Sequence, residues 1–404
     1  MKTYEELKKS GALAGVKVLS LSHVVAGPMA ASFLSDFGAE VVHVEQPGEG
    51  DPAREMGHDK NGVYVWWKVA GRNKRSLTLD LKTEKGAAIA RRLAAWADVV
   101  ITKLRPPALD RLGLSWEALH KLNPTLVYLQ ISGYGWDGPR KSDPGFGKVG
   151  EAMSGVVHIT GFPDGPPVHT GFSHADAVTG LMGAYGVMLA LYKKASDPAF
   201  DGELVDLALF EPLFRLIKWQ VIGFDQLGKS YERTGNPPPM APAAVVGTYQ
   251  TRQDEWVTVT SGTTAAVTKV VRMLGLPEEN FCSARQQSQA AVFLDETLRS
   301  WLRSRDTNEA LQMLKDADVV ASRIYSVKDM LDDPVFQWRE NLVSVEDAEL
   351  GPVRMQSVFP KLQNHGGMVW RTGPALGEDN DLVLREWLGM DDTELLELCK
   401  HKVI

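Results

Sequence analysis

The chain has 404 residues, 44% hydrophobic and 24% charged, with a formal net charge of -7. That is enough for two domains, or one large domain with an insertion, in proportions ordinary for a globular protein. The negative balance gives no electrostatic reason to expect nucleic acid or an anionic membrane as partner, so an anionic ligand must be met by locally placed Lys and Arg.

The opening stretch MKTYEELKKSGALAG is charged and lacks the apolar core of a signal peptide. VKVLSLS (16–22) is a short apolar run suited to a buried strand, and it leads through HVVAGP into a predicted helix, MAASFLSDFG, closed at Gly38. EVVHVE follows as a second strand, which a right-handed crossover makes parallel to the first. The alternation continues through SLTLDL, the helix EKGAAIARRLAAWA, DVVITK, the helix SWEALHKLN and TLVYLQISG. A doubly wound, Rossmann-like α/β domain is therefore expected. The first loop lacks G-x-G-x-x-G, which argues against a nicotinamide or flavin site. Basic residues sit at the ends of these elements: Arg72, Lys74, Arg75, Lys82, Lys103, Arg105 and Arg111. Gathered at strand ends, they would suit a polyphosphate anion, although solvated charge explains any single one of them equally well.

Residues 173–194, SHADAVTGLMGAYGVMLALYKK, read as a buried helix with glycines at 180, 183 and 186 and one acid, Asp176, at its entrance. Its uncharged core, LMGAYGVMLALY, is too short to span a bilayer. Asp176 suits a helix cap, the commoner use of an acid at that place, and it also suits a nucleophilic carboxylate beside apolar surface; the stretch alone does not decide. Composition shifts after Phe210: EPLFRLIKWQVIGFDQLG reads as one long connecting helix, and RTGNPPPMAPAA (233–244) as a proline-dense link. A smaller α/β portion follows, with a hairpin in GTYQTRQDEWVTVTSG and several helices. The expected organisation is a large domain over 1–210, a linker over 211–246, a small domain over 247–327, and a second linker with a return to the large domain over 328–404. The two cysteines, Cys282 and Cys399, support neither a disulfide framework nor a cysteine metal site, and no metal-ligand pattern such as H-E-x-x-H occurs. A reducing, cytoplasmic location is expected.

Several stretches together resemble the family III CoA transferases, which include formyl-CoA and carnitine CoA transferases and have α-methylacyl-CoA racemases as relatives. They are SHVVAGPMAASFLSDFGAEVVHVEQPGEGDPAR, NKRSLTLDLK, PPALDRLGLSWEALHKLNPTLVYLQISGYG and TGFPDGPPVHTGFSHADAVTG, with RTGN in the link. Singly each is weak; in this order they are specific. The resemblance implies a covalent nucleophile at Asp176 and CoA contacts at Val25, Ala26, Gln46, Leu79, Lys82, Lys103, Arg105 and Arg111. It implies an acyl-CoA and a free carboxylic acid as substrates, no resident cofactor or metal, and an interlocked dimer, either a homodimer or a heteromer with a paralogue. Succinyl-CoA is named as donor because it is common, not because any residue selects it. Val25 stands where formyl-CoA transferases carry glutamine, which removes a polar contact near the acyl group, and Gln46 where they carry arginine, which weakens a contact to CoA. With the family's run of consecutive glycines missing from the small domain as well, oxalate and formate are poor candidates. Racemases place a histidine-aspartate pair where this chain has Phe146 and Gly147, so a second base for α-proton exchange is missing. Racemase-type chemistry and a non-catalytic CoA-binding subunit are the alternatives.

Overall fold

The computed structural model describes residues 3–236 and 245–404, so most of the proline-dense link, residues 237–244, lies outside the described residues. Two compact units are formed, the larger from 1–156, 170–218 and 337–404 and the smaller from 157–169 and 219–336.

In the larger unit, α1 (Tyr4–Ser10) precedes β1 (Lys17–Leu21), α2 (Ala26–Ser35) and β2 (Glu40–Glu45). A two-residue hairpin, β3 (Asp59–Lys60) with β4 (Val63–Tyr64), leads into α3 (Val65–Ala70). Then come β5 (Arg75–Thr78), α4 (Glu84–Trp96), β6 (Val99–Thr102), α5 (Pro106–Leu112), α6 (Trp116–Leu122) and β7 (Val127–Ser132). They are followed by α7 (Gly147–Met153), α8 (His174–Ser196) and β8 (Glu203–Ala208). Six parallel strands form one sheet in the order β5-β2-β1-β6-β7-β8, which is the doubly wound arrangement. The central strands are buried along nearly their whole length, because helices cover both faces. On one face α2 and α8 bring Ala30, Leu34, Ala184 and Val187 onto Ile101, Val127 and Leu129. On the other, α4 and the C-terminal residues Leu384, Leu395 and Leu398 cover Leu19, Val42 and Val100. Residues 337–404 belong to the larger unit.

The glycines of α8 set how closely it packs. A Cβ on Gly180 would lie 2.9 Å from the Ala26 carbonyl oxygen and 3.0 Å from Met29 Cβ, so any larger residue would force α2 and α8 apart. Only one face of α8 is buried. Leu181, Tyr185, Met188, Leu189 and Tyr192 fall on the opposite face at helical spacing and are exposed. By length and composition alone the whole of α8 is apolar enough to cross a membrane, a test that the core helix of a globular protein also passes. Here its buried face packs on the sheet and α2.

Residues 211–228 form two helices rather than one. α9 (Glu211–Leu216) and α10 (Gln220–Leu227) are separated at Lys218, whose φ of +53° does not continue a helix. In the smaller unit, β9 (Val245–Gln250), β10 (Trp256–Ser261) and β11 (Ala321–Arg323) make an antiparallel sheet. Its core joins Tyr249, Val257 and Val259 to Val267, Val270, Leu298 and Leu314 of the covering helices.

The structure divides the basic residues that the sequence groups together. Arg72, Lys74 and Arg75 come before or at the start of β5, at the end of the sheet opposite to Lys82, Lys103 and Arg105, which follow β5 and β6. Their partners are structural: Arg72 pairs with Asp36 at 2.5 Å, and Arg75 with Glu40 and Asp379 at 3.0 Å. Lys74 is fully buried, donating to Ser32 Oγ and the Ala70 carbonyl, and burial pushes its ammonium down to about 7. The unfolded chain holds that proton up to the ordinary lysine value of 10.5, so between these limits it binds more protons than the native chain and stability rises with pH. Denaturant unfolding at several pH values should show this rise above about pH 7. In Lys74→Met the slope should flatten, with stability at pH 6 at least equal to that of the parent.

Candidate active site

In this sheet the strand order reverses between β1 and β6, because the chain runs from β1 outward to β2 and β5, then from β6 outward to β7 and β8. The connections leaving β1 and β6 therefore diverge and open a crevice at the carboxyl ends of the strands, where doubly wound folds take their ligands. Two cavities lie there. The first, about 470 Å³, is lined by Gln46, Leu79, Lys82 and Arg111; the second, about 190 Å³, by Lys103, Arg105, Lys141, Ser132 and Phe146. His23 borders both. Its Nδ1 is buried with no hydrogen-bond partner among the described residues, 3.9 Å from Asp51 Oδ2, and burial together with the nearby His43 holds the ring below its usual pKa, hence neutral. Val24 separates the second cavity from a third of about 430 Å³, an apolar space bounded by Val25, Met29, Phe33, Trp66 and Phe359.

Six of the eight positions expected to meet CoA thus line the two adjoining cavities. Val25 faces the third, and Ala26, buried in the first turn of α2, lines none of them. Leu79 contributes little side-chain surface, since only 1% of it is exposed.

Asp176 occupies the third position of α8, a 23-residue helix whose aligned peptides favour a negative charge at this end. It does not act as the cap suggested by its place in the sequence. Ser173 is the N-cap residue, without a side-chain capping bond, and the Asp176 carboxylate turns to Lys103, with Nζ donating to Oδ1 at 3.3 Å. Both side chains are largely buried. Lys103 also lies over the Phe146 ring, 5.8 Å from its centre. Gly147 closes the other side: a Cβ there would stand 1.9 Å from Asp176 Oδ2, so this carboxylate position exists only because residue 147 has no side chain. Glu151, buried on α7, accepts from Lys148 Nζ and from the His174 N–H, tying α7 to the first turn of α8. Asp176 lines none of the three cavities itself; its carboxylate is oriented beside a lysine that belongs to the cation-lined wall of the second. Such a carboxylate can attack an acyl carbon while cations hold the phosphates of its carrier.

The segment between β1 and α2 is held by groups the sequence did not reveal. Val24 has φ +70°, a left-handed conformation that costs a β-branched residue about 1–3 kcal/mol. Its N–H is directed at Asp51, 3.0 Å from Oδ1 and 3.1 Å from Oδ2. Asp51 also accepts from Ala53 N–H at 2.8 Å and meets His43 Nε2 at 3.1 Å; His43 Nδ1 reaches Ser20 Oγ at 3.2 Å. Burial alone would raise the Asp51 pKa, but the His43 contact and the Ala53 N–H outweigh it and hold the carboxyl down to about 2. Lys141 was missed as well. It sits in the long Gly/Pro-rich loop after β7, and loops at strand ends are where binding groups concentrate.

A doubly wound enzyme with an oriented carboxylate next to the lysine wall of a switch-point crevice is the class this geometry defines. The comparisons agree. The model of CoA-transferase family III matches residues 13–380, and the chain belongs to that family and is a CoA-transferase. It is 37% identical over 396 residues to the succinyl-CoA–D-citramalate CoA-transferase of Chloroflexus aurantiacus, covering 96% of this chain and 97% of that one. With the succinyl-CoA–L-malate CoA-transferase beta subunit of the same organism it shares 34% identity, covering 97% and 98%. Among solved structures, a CaiB/BaiF family protein from Brucella suis aligns with a TM-score of 0.82 at 29% identity, covering 93% of this chain and 99% of that one.

Proposed function

We propose that this chain transfers coenzyme A from an acyl-CoA donor, succinyl-CoA first among them, to a free carboxylic acid through covalent intermediates on Asp176. One observation carries the reading: the Asp176 carboxylate lies 3.3 Å from Lys103 Nζ, and Lys103 lines the crevice at the strand ends. The names of the relatives supply succinyl-CoA. In this scheme an Asp176 oxygen attacks the donor thioester carbon, the C–S bond breaks, and CoA leaves as thiolate while a mixed anhydride remains. The thiolate then attacks the aspartyl carbonyl, expelling the donor carboxylate and leaving an aspartyl-CoA thioester. The acceptor carboxylate attacks that thioester and releases thiolate, which attacks the acceptor acyl carbon of the new anhydride and regenerates the Asp176 carboxylate. Each step exchanges one activated acyl group for another, so a site poor in water protects every intermediate from hydrolysis. No resident cofactor or metal is required by these steps.

CoA would lie along the first two cavities, its phosphates met by Lys82, Arg105 and Arg111, its thioester near Lys103. Exchange of isotope from labelled succinate into succinyl-CoA tests the reading, and absence of exchange with every acyl-CoA and acid tried would exclude it. Lys103 serves twice in this account, as carboxylate partner and as pocket wall. Lys103→Met should therefore lower kcat/KM by about tenfold to a hundredfold, the worth of one charge-assisted hydrogen bond, in steady-state assays against acyl-CoA.

The exposed apolar face of α8 supports an obligate dimer, since a contiguous stripe of this kind on a soluble enzyme is normally covered. An interlocked homodimer is proposed. The relatives named as alpha and beta subunits favour a second form, a heteromer with a paralogue. A cytoplasmic place of work is proposed too, in keeping with two exposed free cysteines.

A further inference from the structure

We propose that the buried Asp51–His43 pair is a positioning device for CoA transfer, holding Val24 in its left-handed conformation and so fixing the start of α2 at the wall of the active-site crevice. The role rests on the transfer function proposed above.

Three features of the structure point the same way. First, Val24 is the least suitable type of residue for φ +70°, and a mere turn would be served by glycine. A strained backbone persists only where its surroundings over-determine it, and such positions cluster at functional sites. Second, the surroundings that over-determine this one are built and buried. Asp51 and His43 are each 1% exposed, and both carboxylate oxygens lie within bonding distance of the Val24 N–H. Asp51 is itself fixed at its other end, where its N–H donates to Glu45 Oε2 at 2.9 Å, and Glu45 is paired with Arg54 and Ser76. Third, Val24 forms the partition between the cavity of Lys103 and the apolar cavity of Val25. Turning its N–H toward Asp51 directs the chain so that the next residue, Val25, becomes the N-cap of α2. The first N–H groups of that helix, on Ala26 and Gly27, have no partner of their own among the described residues. Val24 sets the direction in which these amides enter the helix, while Gly27 packs against Ser22 of the same loop. Asp51 and His43 are therefore positioning residues, which act through the loop without touching substrate.

The prediction separates binding of CoA from chemistry. The phosphate-facing residues Lys82 and Arg111 lie in the neighbouring cavity and make no bond to the clamp, so losing it should spare affinity. In the succinyl-CoA exchange assay, Asp51→Ala should lower kcat by at least about tenfold while KM for the acyl-CoA changes by less than about threefold. Asp51→Asn should recover most of the rate. Its amide oxygen still accepts from the Val24 and Ala53 N–H groups, and its NH2 can donate to a His43 whose Nδ1 carries the proton. A crystal structure of Asp51→Ala should show Val24 returned to negative φ. If Asp51→Ala does not fold, His43→Leu takes its place, with the same kcat loss at unchanged KM expected. An active wild type with unaltered kcat in Asp51→Ala, or equal losses in the alanine and asparagine variants, would overturn the clamp and leave the transfer reading standing. Wild-type protein that exchanges nothing would overturn the transfer reading and this role with it.

Discussion

Replacing Asp176 by asparagine is expected to lower CoA transfer by at least about a thousandfold while the chain still folds. The amide matches the carboxylate in size, and its oxygen can still accept from Lys103 Nζ, so the packing around α8 has no reason to change. What disappears is the nucleophile. An amide oxygen does not form the anhydride, and direct attack of one carboxylate on the other acid's thioester inside the crevice is all that remains. Initial rates of exchange, with circular dichroism to confirm the fold, check this outcome. Asp176→Ala should give the same loss and removes the concern that asparagine reverts to aspartate by deamidation. Comparable activity in both variants would move the chemistry away from this residue.

The second large effect is expected from Gly147→Ala. A methyl group there would sit 1.9 Å from Asp176 Oδ2, well inside contact distance, so the carboxylate must rotate away. Because that oxygen is the free end of a short side chain, rotation relieves the clash cheaply, and the backbone need not move. Position 147 also opens α7, where alanine is a better helix former than glycine by about 1 kcal/mol. Activity and stability should therefore move in opposite directions. The rate should fall by about tenfold to a hundredfold, as for a misplaced catalytic group, while Tm stays level or rises. Steady-state kinetics beside calorimetry separates this from damage to the fold, which would lower both. The same geometry bears on racemase chemistry. A residue with a side chain at 147 would need a different Asp176 conformation, and with Phe146 beside it this chain holds no second base at that place.

Much of the larger unit was legible because its strands are buried on both sides and read as short runs rich in Val, Ile and Leu between amphipathic helices. β8 was not. As the edge strand it carries Glu203 and Asp206 among its apolar residues and is only partly buried, so its composition does not set it apart from a loop. α2 begins at Ala26, three residues before the stretch read as helical, because Pro28 is tolerated in a first turn. The division of the long helix at Lys218 left no trace in a sequence without glycine or proline at that point. For the site, Asp176 stood out as one acid at the entrance of an apolar run. Its partner Lys103 is 73 residues away, and Gly147 matters through a missing atom. The clamp on Val24 joins residues from β2, the turn after it and the loop after β1, a juxtaposition that only the parallel pairing of β1 with β2 creates. Spacing in one dimension could not announce any of these.

The central claim is that Asp176 becomes loaded with acyl and then with CoA during turnover. Incubating the protein with succinyl-CoA, trapping with hydroxylamine or borohydride, and mapping the digest by mass spectrometry tests it most directly. The account predicts a mass change confined to the peptide that contains Asp176 and lost in Asp176→Ala. Turnover that leaves this peptide unmodified, or a trapped adduct on another residue, would contradict it.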